Sequence, residues 1–186
     1  MMEKLRSFLR SPRGRAFFIV SCVLTAGICL VMNLWLLPSI EATTDGIRCF
    51  DMNFGYDYAT AQRFLSLLSP EGRATYLHVQ LPLDFVYPLA YGCCFCGLFF
   101  YLTGRFSALQ LLPLLLMGFD YAENICTILM LRAASLSPAL AAAASALTVI
   151  KTLLLYVNAA LLLLCAVRFF LQKRRARADG SAGQTQ

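Results

Sequence analysis

LQLLPLLLMGFDYAENICTILML, from Leu109 to Leu131, is apolar enough to cross a bilayer except at Asp120, Glu123 and Asn124. A carboxylate at the bilayer centre costs about 2.5–3.5 kcal/mol on insertion scales. Two such groups on one span must face protein or trapped water. Their offsets of i, i+3 and i+4 put all three side chains on one helical face. That face, rather than any soluble-enzyme motif, is where the chemistry of this chain is expected.

The rest of the chain fits the same setting. Of 186 residues, 59% are hydrophobic and 14% charged, against about 25% charged in a soluble domain. Runs at about 16–37, 82–103, 108–131 and 148–169 each reach the roughly 20 residues that a membrane helix needs. The first is closed by Pro38 and the second begins at Pro82. The spacing therefore predicts an all-α, four-helix transmembrane bundle, with a membrane domain over 16–171. Residues 1–15 read as a basic cytoplasmic N-terminus and 172–186 as a disordered cytoplasmic tail. The first run is about 22 residues long, too long for the 7–15 of a cleavable signal core, so it reads as an uncleaved anchor.

Charge sets the expected orientation. Lys4, Arg6, Arg10, Arg13 and Arg15 precede the first run, and Arg168, Lys173, Arg174, Arg175 and Arg177 follow the last. Basic residues clustered beside spans mark the cytoplasmic side, which places both termini inside at the cell membrane. The same tails suit anionic lipid, and no nucleic-acid partner is expected. The segment 38–81 then lies outside. It is longer than a connection needs, and Asp57 is a natural N-cap for YATAQRFLSLL. A helical extracytoplasmic loop is expected there, either closing the bundle mouth as a lid or lying in the interface.

Polar stripes recur on every span. Asp84, Tyr87 and Tyr91 share one face of the second, where Pro88 removes a backbone hydrogen bond. Thr127 extends the stripe of the third. Thr148, Lys151 and Asn158 share a face of the fourth, and Ser21, Thr25, Cys29 and Asn33 line the first. Each stripe is the only costly face of its helix, so the four are expected to converge on a polar pocket in the outer half. Asp84, Asp120 and Glu123 are the candidate acid, base or anchoring groups. Asn124, Lys151, Tyr87, Tyr91 and Asn158 are candidate ligand contacts, and Arg73 is a candidate for an anionic head group. A purely structural network that fixes helix register is the competing reading.

Other chemistry is thinly supported. Cys93-Cys94-Phe95-Cys96 has a C-x-x-C spacing, but Cys49 is the only cysteine of eight outside the expected spans, and membrane thiol oxidoreductases need a second pair. His78 is the only histidine, so no metal site is expected, although three carboxylates would suit a hard cation. No phosphate-binding loop, G-x-S-x-G elbow or Ser-His-Asp order appears, and nothing calls for a cofactor.

Gly72-Arg73-x-x-Tyr76, Asp84-x-x-Tyr87-Pro88-x-x-Tyr91 and Phe119-Asp120-x-x-Glu123-Asn124 together resemble a pattern in small, uncharacterised four-span bacterial integral membrane proteins, over about 50–130. The resemblance implies that these positions belong to one site and supplies no reaction. The leading expectation is a protein that binds, and in one version acts on, a membrane lipid or other amphipathic small molecule. Proton- or cation-coupled transport as a homo-oligomer, or a structural role beside a partner membrane subunit, are the alternatives.

Overall fold

The computed structural model of the chain describes residues 2–182. Among them every regular element is helical, and four helices are long and apolar enough to cross a membrane: Pro12–Glu41, Pro70–Thr103, Ala108–Arg132 and Pro138–Ala176. The chain is a multi-pass membrane protein, and these four helices are called the first to fourth spans below.

Several helix ends differ from the sequence expectation. The first span runs through Pro38 to Glu41, and the second starts at Pro70 rather than at Pro82. Both prolines follow a widened turn of five residues, Met32–Leu36 and Tyr76–Gln80. In each turn the amide just before the proline bonds five residues back, Leu37 to Met32 and Leu81 to Tyr76. A π-type turn of this kind lets the helix pass the proline without ending. The fourth helix begins at Pro138 and its backbone continues to Ala182. The tail expected to be disordered from 172 is therefore helical to that point, in keeping with its Lys, Arg and Ala content. Residues 183–186 of that tail lie outside the described residues.

The second span is the hub. It packs against the other three, and the third also packs along the fourth. A Cβ on Gly92 would meet the sulfur of Met117, and one on Gly97 would meet the ring of Phe18. Small residues let membrane helices approach closely in this way. The outward faces stay apolar: Val23, Leu34, Leu89 and Leu163 are each more than half exposed, which suits hydrocarbon and not water.

The chain ends are tied to the same frame. A helix over Met2–Arg10 precedes the first span, and Ser11 caps the span by accepting the Gly14 N–H at 3.2 Å. The Tyr101 hydroxyl donates to Leu9 O at 2.6 Å. Between the second and third spans Gly104 takes a left-handed φ of 71°, the usual helix stop. Ser107 and Gln110 then cap the third span, with Ser107 N donating to Gln110 Oε1 at 2.7 Å.

The segment after Glu41 folds onto one end of the spans. A short helix, Tyr58–Leu67, starts at Asp57, whose carboxylate accepts the Thr60 N–H at 2.8 Å. Its buried face, Ala61 and Phe64, joins Ile40, Phe50, Tyr76, Met130 and Ala144 in one apolar cluster. Tyr56 N donates to Ser145 Oγ at 2.9 Å, pinning the segment to the fourth span.

Candidate functional site

Asp120, Glu123 and Asn124 occupy one face of the third span, and that face turns inward. They are 4%, 1% and 2% exposed, and Asp84 on the second span is 5% exposed. The charge they carry into the membrane is met by Lys151 of the fourth span. Its Nζ lies 3.4 Å from Asp120 Oδ1 and also pairs with Glu123 Oε2. The Thr148 hydroxyl donates to Glu123 Oε1, and the Tyr91 hydroxyl donates to Asp120 Oδ2 at 2.8 Å. Three spans are thus joined through one cation and two carboxylates. Such a pair persists at low dielectric only when its remaining lone pairs are also satisfied, and Thr148 and Tyr91 do this.

Asn124 has a different task. Pro88 has no N–H, so the carbonyl of Asp84 four residues earlier lacks its helical donor. Asn124 Nδ2 donates to that carbonyl at 3.0 Å. The backbone of the second span is thereby repaired from the third at the residue that carries a buried acid. Among the described residues no hydrogen bond reaches the Asp84 carboxylate itself, and Asp84 borders a cavity.

That cavity has a volume of about 540 Å³. Asp84, Tyr87, Tyr91, Asp120 and Lys151 line it, and Cys29 and Asn33 of the first span join them. Its apolar wall includes Met32, Leu37, Leu116 and Leu155. Residues of the 42–57 segment cover one side, among them Arg48, Asp51 and Phe54. The volume lies in the range of pockets that hold drug-sized ligands.

Five of the nine candidate site residues therefore meet at one cavity, and two, Glu123 and Asn124, sit directly behind it. The other two do not. Arg73 donates to Leu131 O, and to Leu65 O at 3.2 Å. It closes the free carbonyls at the ends of the third span and the Tyr58–Leu67 helix instead of waiting for an anionic head group. Asn158 is buried and donates to Leu154 O of its own helix at 2.8 Å, away from the cavity lining. Ser21 and Thr25 likewise return to their own helix, bonding Phe17 O and Ser21 O.

Asp51 is the residue that sequence reasoning missed. It reaches the cavity from the covering segment and accepts the Tyr76 hydroxyl at 3.2 Å. Burial pushes its carboxyl above the usual carboxylate range, with Lys151 pulling the other way. The only sequence signal was an acid set among aromatics, Phe50-Asp51-Met52-Asn53-Phe54. Cys49 beside it is fully buried rather than an open loop thiol. Burial first, then the neighbouring Asp51 and Glu41, raises its thiol far above the ordinary value.

Chemically, the site offers acid, hydroxyl and ammonium groups with no histidine, since His78 is exposed and does not line the cavity. Among the described residues no three His, Cys, Asp or Glu side chains converge closely enough to hold a metal ion. Comparison of the chain with family models, with curated proteins and with solved structures finds no match.

Proposed function

We propose that this multi-pass protein binds an amphipathic or lipid-like small molecule in the cavity between its four spans. One observation carries the reading: Asp84, Asp120, Lys151 and three tyrosines share a single cavity with an apolar wall. Polar groups fix a ligand's orientation while apolar walls supply burial, which is the usual division of labour in a binding pocket. The basic flanks of the first and fourth spans favour cytoplasmic termini. The spans then form a transmembrane bundle whose cavity opens on the outer side of the cell membrane. The 42–57 segment and its helix act as a lid. The pattern over about 50–130 would, on this reading, mark the same site in small four-span bacterial membrane proteins. If the ligand is also transformed, Asp84 and Asp120 are the groups positioned to exchange a proton with it.

Native mass spectrometry of protein taken gently from membranes tests the reading. A retained small molecule is expected on the unaltered chain and its loss in Leu155→Trp, which fills the cavity. No retained mass, or a mass unchanged in Leu155→Trp, contradicts it.

Proton-coupled transport has one observation in its favour. Tyr91, Asp120, Lys151, Glu123 and Thr148 form an unbroken run of exchangeable groups from the second span to the fourth. Proton flux into liposomes that is lost in Asp120→Asn would favour transport over binding.

A further inference from the structure

The charges around the cavity are unequal, and their pairing says which occupant fits. Lys151 is already committed: it lies between Asp120 and Glu123, and a hydroxyl braces each of them on its other oxygen. The ammonium keeps one N–H free, but an anionic head group that reached it would stand beside the carboxylates of Asp120 and Glu123, which repel it. Asp84 is in the opposite condition. It is 5% exposed, its backbone carbonyl is taken by Asn124, and it lines the cavity with no hydrogen bond to its carboxylate among the described residues. A buried carboxylate left without a donor carries a desolvation penalty that a ligand donor relieves.

Asp51 adds a second acid on the covering side. Tyr87, Tyr91 and Phe95 also line the cavity, and the rings of Tyr87 and Tyr91 meet edge to face with centroids 5.1 Å apart. Carboxylates and aromatic faces together make a setting that attracts cations. Among the described residues no three acids converge as the ligands of a bare metal ion would. A cation with its own N–H donors and an apolar body fits instead.

We propose that the cavity selects a protonated amine bearing an apolar tail, with the ammonium on Asp84 and the tail against Leu116 and Leu155. The inference rests on the binding function proposed above and narrows it to one charge class. The ammonium supplies the donor that Asp84 lacks, and the aromatic faces stabilise its charge. Arg48 also lines the cavity but stands exposed, where water and salt screen its charge.

Thermal unfolding of the full chain in a non-ionic detergent tests this with three probes of equal tail length: decylammonium, decyl sulfate and decanol. Decylammonium is expected to stabilise most. Asp84→Asn is expected to weaken its apparent affinity about tenfold or more, the size of one charge-assisted hydrogen bond, and Asp84→Glu to keep the preference. Stabilisation by decylammonium that survives in Asp84→Asn overturns the assignment. Decyl sulfate or decanol stabilising as strongly, but only when Leu155 is not replaced by Trp, also overturns it while leaving amphiphile binding intact. If none of the three acts, both fall. Should Asp84→Asn fail to fold, the ranking of the three probes on the unaltered chain decides the matter.

Discussion

Lys151 is the residue on which the buried charges depend. Removing one partner of a buried ion pair leaves an uncompensated charge and costs about 3–5 kcal/mol. Lys151→Met is expected to lose that much in reversible unfolding in mild detergent, because Asp120 and Glu123 both lose their cation. Adding Asp120→Asn and Glu123→Gln to it is expected to restore most of the loss. Asp51 gives a pH signature. Its folded carboxyl titrates above the ordinary aspartate value because it is buried. Its contribution to stability is therefore complete below that ordinary value. As pH rises, the unfolded chain ionises first and the fold loses ground until the raised value is passed. Asp51→Asn removes this component. The melting temperature of the unaltered chain should thus fall relative to Asp51→Asn as pH rises above about 4, the ordinary aspartate value. A constant gap would mean that Asp51 is not buried as described. Cys49 makes a simpler test: with its thiol buried and its ionisation suppressed, it should resist a maleimide until the protein is unfolded.

At the scale of elements, the second span depends on the third for a backbone hydrogen bond. Asn124→Leu leaves the Asp84 carbonyl without its donor, at a cost of about 1–3 kcal/mol. Pro88→Ala restores the helical N–H, so the double variant should be more stable than the two single effects summed. Additive effects would contradict the repair. Gly55 serves the covering segment: its φ is 96°, and a Cβ there would meet Val149 Cγ2 at 2.9 Å. Gly55→Ala should loosen the segment from the fourth span, seen as faster amide exchange over Tyr58–Leu67 with the spans unaffected. The sequence spoke clearly about elements where a period exists. The four apolar runs and the helix after Asp57 were legible because apolar spacing and a capping aspartate are local signals. The ends at Pro38 and Pro82 were not, because a widened turn that carries a helix past a proline depends on backbone bonds that no residue pattern marks.

Across the whole molecule, legibility followed the cost of exposure. Asp84, Asp120, Glu123 and Asn124 turn inward as expected, because a membrane helix has nowhere else to put such groups. Arg73 and Asn158 were misplaced. A guanidinium satisfies two backbone carbonyls as readily as an anion, and only the packing of two helix ends beside it decides. Asp51 went unseen because a loop acid bears no insertion penalty in the sequence, and only the fold over the cavity brings it to Asp84 and Lys151. In the proposed topology the inward polar faces open to water from the outer side. Thiol accessibility on intact cells tests that most directly, using a cysteine-free chain that carries Asp84→Cys, Thr152→Cys or Leu89→Cys singly. Thr152 lines the cavity and Leu89 faces outward. A small charged thiol reagent added outside is expected to modify positions 84 and 152 and to spare 89. Silence at 84 and 152, or equal reaction at 89, would contradict the account.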